Sequence, residues 1–334
     1  MDVKINQVIL HILDAGASEP VLSDRPMELD ADLYEYFSVC IEKAFASDDS
    51  KNCRFLPDSP FLQEMQHNDD FIDLSRRIAG VIFEQLLQYQ GIPSGDLAVV
   101  DCAADGVPFY AVLKLNYRPG FTHVTNVMGN GQCSTIAPQR TLLPGNSKAD
   151  EAALIDRANG VVRLIEKKYT IDDKKDFYLS TRVFGCTEAM QEKAKLKAVC
   201  ETAVAAVKEA YPETDDLDDV PPFDGGTETA VELLVRNQAV DNQIAVEDVR
   251  SRIRENFPLA APKFEEALAE TGVREDDRMT VSPARIRKLE SRSFKTESGI
   301  EVKIPAELCS SDDAVEFIHS ATGGLSLLIK DVLV

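Results

Sequence analysis

The sequence predicts an α+β protein: an antiparallel sheet with packed helices in the N-terminal half, a helical middle and a small C-terminal β-meander. The sheet is predicted from Asp96–Tyr117, where apolar residues occupy every second position from Val107 onward, as in a strand with one buried face. Asp105-Gly106 precedes this strand and is typical of a tight hairpin turn, because both residues tolerate positive φ. From Thr187 onward the apolar residues instead follow helical spacing.

Length and composition predict two domains. A chain of 334 residues is long enough for two hydrophobic cores, and we expect domains at residues 1–185 and 186–334. No apolar run approaches the roughly 18 residues of a membrane span, and Met1–Ile5 lacks the features of a signal peptide. The seven cysteines are scattered without a Cys-x-x-Cys pair, and no two histidines are neighbours. We therefore expect a cytoplasmic protein with no metal site.

The segments before the hairpin predict one strand and three helices. Ile5–Leu13 is rich in apolar residues and predicts an opening strand. Apolar residues at i, i+4 spacing predict a helix over Leu29–Phe45, and Pro60 suits the first turn of a short helix. A longer helix is predicted from Phe71 to Tyr89, since one apolar stripe recurs there at spacings of three and four residues.

The segments after the hairpin predict the rest of the sheet. Phe121–Met128 predicts a third strand and Cys133–Leu143 a further strand of the same sheet, joined by a Gly129-Asn130-Gly131 turn that lacks the P-loop pattern. Ser147–Asp150 resembles a capping box. The apolar residues that follow it predict a helix; they are Leu154, Ala158, Val161, Ile165 and Tyr169. Alternation over Asp176–Phe184 predicts the last strand of the sheet.

The second half predicts helices followed by short strands. After the helix that begins near Thr187 comes an acidic loop, Pro212–Gly226, whose spacing fails the EF-hand pattern. Shorter helices are predicted at Glu228–Gln238, Val246–Asn256 and Lys263–Thr271, and a short basic helix at Ser282-Pro283. Four short strands form the predicted meander: Ser293–Thr296, Gly299–Ile304, Val315–His319 and Leu325–Lys330.

Charge restricts how this chain could meet nucleic acid. The formal net charge of −21 argues against a protein that coats DNA, because non-specific binding depends on cations that neutralise phosphates. Screening limits the reach of a charge to about 8 Å, so a local basic surface can still act. Two segments are candidates for phosphate contacts. The first basic segment consists of Lys167, Lys168, Lys174 and Lys175. The second basic segment consists of Arg285, Arg287, Lys288, Arg292 and Lys295.

Neither basic segment has the features of a sequence-specific reader. Both lack the interleaved aromatic residues of a single-strand stacking surface, and neither lies in a helix-turn-helix or zinc-finger pattern. Any DNA binding should therefore be directed at phosphates and independent of sequence. Solvated faces of ordinary secondary structure are the alternative interpretation for each segment.

Three stretches together resemble the bacterial nucleoid-associated protein family of the NdpA/YejK type. They are Ile5–His11, Leu143–Asp156 with the later Phe184-Gly185-Cys186, and the closing segment Phe294–Lys330. Their order and spacing and the total length also fit. The resemblance implies a cytoplasmic protein of the bacterial nucleoid that associates with DNA or with DNA-bound machinery. It implies no enzyme activity and no cofactor.

Three classes of function follow from these observations. The first is non-specific DNA binding through local basic surface, with DNA and nucleoid proteins as partners and no membrane. The second is an acidic protein–protein interaction module that reaches the nucleoid without touching DNA. The third, an enzyme, is disfavoured because no nucleophile elbow, kinase loop, metal cluster or dinucleotide fingerprint occurs. A homo-oligomer is compatible with all three.

Overall fold

The computed structural model describes residues 1–67, 70–128, 131–142, 148–211, 227–289, 291–295, 299–305, 308, 315–319 and 325–330. Outside them lie the acidic loop Pro212–Gly226, residues 129–130 and 297–298 of two predicted turns, the Thr322–Gly324 turn and residues 143–147. The chain forms two compact units, Met1–Met190 and Gln191–Val334. No helix in the described ranges is long and apolar enough to cross a membrane.

The first unit contains a six-stranded, fully antiparallel sheet in the order β1-β3-β4-β7-β8-β2. The predicted hairpin lies within it as β3 and β4, with Asp105 and Gly106 at φ 48° and 82°. The strands of this unit are β1 Val3–Leu13, β2 Lys51–Arg54, β3 Gly95–Ala104, β4 Val107–Asn116, β5 Arg118–Met128, β6 Gly131–Thr141, β7 Glu151–Asp156, β8 Val161–Ile165, β9 Tyr169–Ile171 and β10 Lys174–Asp176. The α+β class is confirmed.

Helices cover both faces of this sheet. Alternate residues of each strand belong to two different cores, so Val99 of β3 faces one side and Val100 faces the other. Helix α1 (Ala31–Phe45) packs in one core, and α2 (Pro60–His67), α3 (Phe71–Gln88) and a π-helical turn (Leu179–Val183) pack in the other. These three helices were predicted, and Asp30 and Asp70 cap α1 and α3 by accepting backbone N–H bonds.

The predicted helix over Leu154–Tyr169 is wrong. This segment forms β7, β8 and β9, and β7 pairs with β4 on one side and β8 on the other. Because β7 is buried on both faces, it has no polar alternation. Its Leu154 coincides in helical spacing with Val161 and Ile165 of β8 and Tyr169 of β9. The missed signal was Asn159-Gly160, a turn in which the Asp156 carboxylate accepts the Ala158 and Asn159 N–H groups.

The predicted strand over Asp176–Phe184 is also wrong. Only Asp176 lies in a strand, β10, and the π-helical turn follows. The turn is fixed from within the core, because the Ser180 N–H donates to the buried Glu166 carboxylate at 3.0 Å. Its winding places Tyr178 fully inside the core.

The prediction that Cys133–Leu143 extends the main sheet is wrong as well. β5 and β6 pair with each other along their full length, from Arg118↔Thr141 to Met128↔Gly131. They form a separate two-stranded sheet, which we call the β5–β6 ribbon. The chain returns from it to the main sheet as β7, which occupies the place beside β4 that β5 was expected to take.

The second unit is largely helical, as expected. Its elements are α4 Glu192–Ala210, α5 Thr227–Arg236, β11 Gln243–Ala245, α6 Val246–Asn256, α7 Ala261–Glu270, β12 Arg278–Thr280, α8 Pro283–Leu289, β13 Ser291–Lys295, β14 Glu301–Pro305, β15 Val315–His319 and β16 Leu325–Ile329. The four short terminal strands were predicted. In the described ranges they pair as two hairpins, β13–β14 and β15–β16, and not as one meander.

Four buried charged side chains lie on one face of the main sheet. They are Lys51, Lys114, Glu151 and Glu166, which we call the buried ion network, and each is at most 5% exposed. Lys51 Nζ lies 2.6 Å from Glu166 Oε1, and Lys114 Nζ lies 3.3 Å from Glu151 Oε2. Glu151 and Glu166 lie one residue beyond the Ala152↔Ile165 pair, so the two carboxylates occupy neighbouring strand ends.

Polar neighbours satisfy much of this network. The Tyr178 hydroxyl donates to Glu151 Oε2 at 2.9 Å, and Lys114 donates to the Pro93 carbonyl at 2.8 Å. Burial raises the pKa of Glu151 and lowers that of Lys114, while the attraction between them opposes both shifts. Each charge therefore depends on its partner, since an unpaired charge in this core would be very costly.

We expect Glu151→Gln to destabilise the first unit by about 3 kcal/mol or more, because it leaves Lys114 buried without a counter-ion. The double variant Lys114→Met with Glu151→Gln should regain much of that loss, since the Gln oxygen can still accept from Tyr178. Urea unfolding of the two single variants and the double variant measures this coupling. As a control, Arg77→Gln removes one partner of the exposed Arg77–Glu64 pair and should cost under about 1 kcal/mol. Additive losses in the double variant would contradict the prediction.

His11 of β1 is a second buried polar group, and its hydrogen bonds fix its tautomer. Its Nδ1 accepts the Ser23 N–H at 3.2 Å, so its Nε2 carries the proton and donates to Ser75 Oγ at 3.1 Å. The Ser75 hydroxyl donates onward to the Ile72 carbonyl at 2.7 Å. Burial, with a smaller effect of the nearby Arg76 charge, lowers the pKa of His11 to about 4. His11 is thus a structural, neutral histidine.

We expect His11 to make the fold acid-sensitive. The unfolded chain protonates His11 near pH 6.5 and the folded chain only near pH 4, so falling pH favours unfolding between these values. The stability advantage of the natural chain over His11→Gln should shrink by about 2 kcal/mol from pH 8 to pH 5. Denaturant unfolding at both pH values measures it. His123→Gln, at an exposed histidine, should show no such change. An advantage that is equal at both pH values would refute the assignment.

Candidate nucleic-acid interface

The first basic segment lies at the end of β8 and in the β9–β10 hairpin. Lys167, Lys168, Lys174 and Lys175 are all exposed. Asp172 and Asp173 form the two-residue turn of this hairpin with φ of 46° and 64°, the conformation of a type I′ turn. Lys174 and Lys175 are neighbours in a strand, so they point to opposite faces of the hairpin. One flat anionic surface therefore cannot engage both lysines equally.

Carboxylates neutralise part of this segment. Lys167 Nζ lies 3.1 Å from Asp150 Oδ1, while Asp172 of the hairpin turn is paired at 2.6 Å with Arg182, which lies outside the segment. Asp150 is nearly buried and also accepts from Arg118 at 2.8 Å. Lys168 lies 5.1 Å from the centre of the Phe177 ring. The cations of this segment with no ion pair in the described residues are thus Lys168, Lys174 and Lys175.

The position of this segment follows from the buried ion network. Glu166 is held in the core by Lys51 and by the Ser180 N–H, and Lys167 is the next residue along the chain. Phe177 is the residue that follows β10, and its ring centre lies 4.0 Å from Lys51 Nζ. The network therefore anchors both ends of the segment, and its exposed lysines project from residues that are held in the core.

The second basic segment lies in α8 and β13 of the second unit. The Arg285 backbone N–H donates a hydrogen bond to Ser282 Oγ at 3.3 Å, which caps the start of α8. The Arg285 side chain is half-buried. Burial raises the pKa of Cys200 on α4 to about 12, and the Arg285 charge acts against that shift, which shows that Arg285 lies near α4. Arg287 is exposed. Lys288 belongs to α8 and Arg292 and Lys295 to β13, but their side chains lie outside the described part of the structure.

A groove of about 520 Å³ lies in the first unit between α2, α3 and the π-helical turn. Its lining is mainly apolar, and the charged residues at it are Glu64, Arg77, Glu84 and Arg182. Two of these, Arg77 and Glu64, bind each other at 2.5 Å. The carboxyl groups whose pKa burial raises, Glu151 and Asp96, do not line this groove. In the described part of the chain, no three His, Cys, Asp or Glu residues could hold a metal ion.

The search for basic segments missed a different surface. No Asp or Glu occurs between Asp105 and Asp150, although the chain contains 57 acidic residues among 334. This interval includes the whole β5–β6 ribbon. A count of acidic residues along the sequence would have found this interval. A search for clustered cations could not, because its lysines and arginines are spread out, at Lys114, Arg118, Arg140 and Lys148.

Comparison with known proteins places the chain in a family. No curated protein matches it. The family model described as nucleoid-associated protein YejK matches residues 9–333, which is nearly the whole chain. The resemblance inferred from the opening strand, the middle stretches and the closing segment is therefore confirmed. The chain belongs to the YejK family of nucleoid-associated proteins.

Proposed function

We propose that this protein associates with the nucleoid by binding DNA without sequence preference, through phosphate contacts from exposed cations of the two basic segments. The family match over residues 9–333 is the observation that carries this proposal. Further support comes from Lys168, Lys174, Lys175 and Arg287, which are exposed. The proposal needs no cofactor and no catalytic step.

Few cations and a strongly anionic chain predict weak, salt-sensitive binding. The formal charge of −21 repels a polyanion except where cations are local. Each phosphate that is neutralised contributes about −0.9 to the slope of log K against log salt. Contacts to about five phosphates should therefore give a slope of about −4 to −5.

We expect Lys174→Glu with Lys175→Glu to weaken DNA binding at low salt and to make the salt slope shallower by about 1 to 2, since these lysines contact phosphates. Fluorescence anisotropy with a labelled duplex over a salt series measures both effects. Arg287→Glu tests the second basic segment in the same way. Arg287 is a better choice than the half-buried Arg285, whose replacement would also disturb α8.

Lys197→Glu with Lys263→Glu is the matched control, because it makes the same change in net charge at two lysines outside both segments. It should leave the slope unchanged. If the control weakens DNA binding as much as the test variants do, the binding responds to net charge alone, which would contradict the proposal. Absence of DNA binding at low salt would also refute it.

A second candidate function is an acidic interaction module that reaches the nucleoid through a protein partner. The observation that favours it is the partial neutralisation of the first basic segment, where Asp150 binds Lys167. Under this proposal the anionic surface meets a basic protein. Capture of nucleoid proteins that survives nuclease digestion, together with no binding to a purified duplex, would support it. Loss of all capture on nuclease digestion would refute it.

A further inference from the structure

The β5–β6 ribbon has no partner strand within the described chain. Its two strands pair only with each other over eleven residues each. None of its described side chains is buried. An isolated two-stranded ribbon is marginally stable in water, whereas a third strand or a packed face gives independent stability. We therefore expect contact with a partner to stabilise the ribbon.

Two large apolar side chains adjoin each other on one face of the ribbon. Phe121 is paired with Pro138, and Ile136 is paired with His123. Residues directly opposed in an antiparallel pair share a face, and alternate pairs share the same face, so Phe121 and Ile136 lie on one side. They are 77% and 72% exposed, the two highest values among the large apolar side chains in the described ranges. Exposed apolar groups that adjoin each other mark an interaction surface.

The free edge of β5 is unprotected. Proline cannot donate to a strand ladder, so Pro119 and Pro138 turn their nitrogens outward, away from the ribbon partner. Pro138 interrupts the outer edge of β6, but β5 has no proline from Gly120 to Met128. Lysines and other charges normally protect an open edge from pairing. Between Pro119 and Gln139 the chain has no Lys, Arg, Asp or Glu.

Charge indicates whether DNA or a second copy of this chain is the better partner for this surface. The cations at the base of the ribbon are already paired, because Arg118 binds Asp150 at 2.8 Å and Arg140 binds Asp14 at 2.6 Å. A ribbon without available cations provides little of the phosphate neutralisation that DNA binding requires. It is well suited to a second copy of this chain, since two molecules of charge −21 repel least where neither carries an acid.

We propose that the β5–β6 ribbon is a self-association surface, on which the β5 edge of a second copy pairs with the β5 edge of the first, so that the Phe121–Ile136 faces of both copies lie on one side of a continuous four-stranded sheet. The two β5 strands run antiparallel about a two-fold axis, so the contact is self-complementary and closes at a dimer. This inference goes beyond the proposed function and does not depend on DNA binding.

The oligomeric state tests the proposal. Sedimentation velocity over a micromolar concentration series should show the natural chain at twice the monomer mass, and Phe121→Arg with Ile136→Arg should reduce it to a monomer. Val240→Arg with Leu259→Arg is the matched control, since these side chains are 68% and 66% exposed but lie outside the ribbon. The control should remain a dimer. A monomeric natural chain, or a dimer that survives the ribbon variant, would overturn the proposal.

Cys133 provides an independent readout in the full chain. It lies in β6 opposite Asn126 and is the one exposed cysteine in the described ranges. A bismaleimide with a spacer of about 14 Å or longer, which spans the three strand spacings between the two β6 strands, should join two copies through Cys133. Both Cys133→Ser and the Phe121/Ile136 variant should abolish this product. A monomeric chain whose affinity for DNA falls with Phe121→Ser would identify DNA as the occupant and refute self-association. The salt slope of the basic segments is a separate measurement, so failure of one proposal leaves the other testable.

Discussion

The pairing of two lysines with two glutamates inside the main sheet is the interaction on which the first unit depends. Lys114 of β4 faces Glu151 of β7, and Lys51 of β2 faces Glu166 just beyond β8. A slip of one residue in any of these strands would turn its charge to the opposite, apolar core and leave its partner unpaired. The network therefore specifies strand register in a region where the apolar residues alone are nearly interchangeable.

The same interaction connects the core to the candidate interface. Glu166 is buried because Lys51 and the Ser180 N–H satisfy it, and the chain emerges from the core at Lys167. Asp150, the residue before Glu151, then binds Lys167 and Arg118. The residues that stabilise the sheet thus lower the number of cations available to phosphates. This explains how a member of a nucleoid-associated family combines recognisable basic segments with few unpaired cations.

Elements with local signals could be predicted from the sequence, and elements defined by distant contacts could not. α1 and α3 carry apolar stripes and aspartate caps within their own residues, and Asp105-Gly106 specifies its hairpin by backbone conformation. β7 lacks such a signal because both of its faces are buried. The basic segments could be found by counting cations, but the pairing of Lys167 with Asp150 crosses from β8 back to β7 and leaves no mark in the local sequence.

The attachment of the β5–β6 ribbon has an evolutionary consequence. The Asn116 N–H at the end of β4 donates to the Asp150 carboxylate, at 3.3 Å, just before β7. The entry and exit of the ribbon are therefore adjacent, and β4 and β7 pair with each other regardless of what lies between them. Insertions and deletions can therefore accumulate in the β5–β6 ribbon, or the whole ribbon can be exchanged, without disturbing the main sheet. We expect sequence drift among relatives to concentrate in its length and tip, while the two attachment points stay constant.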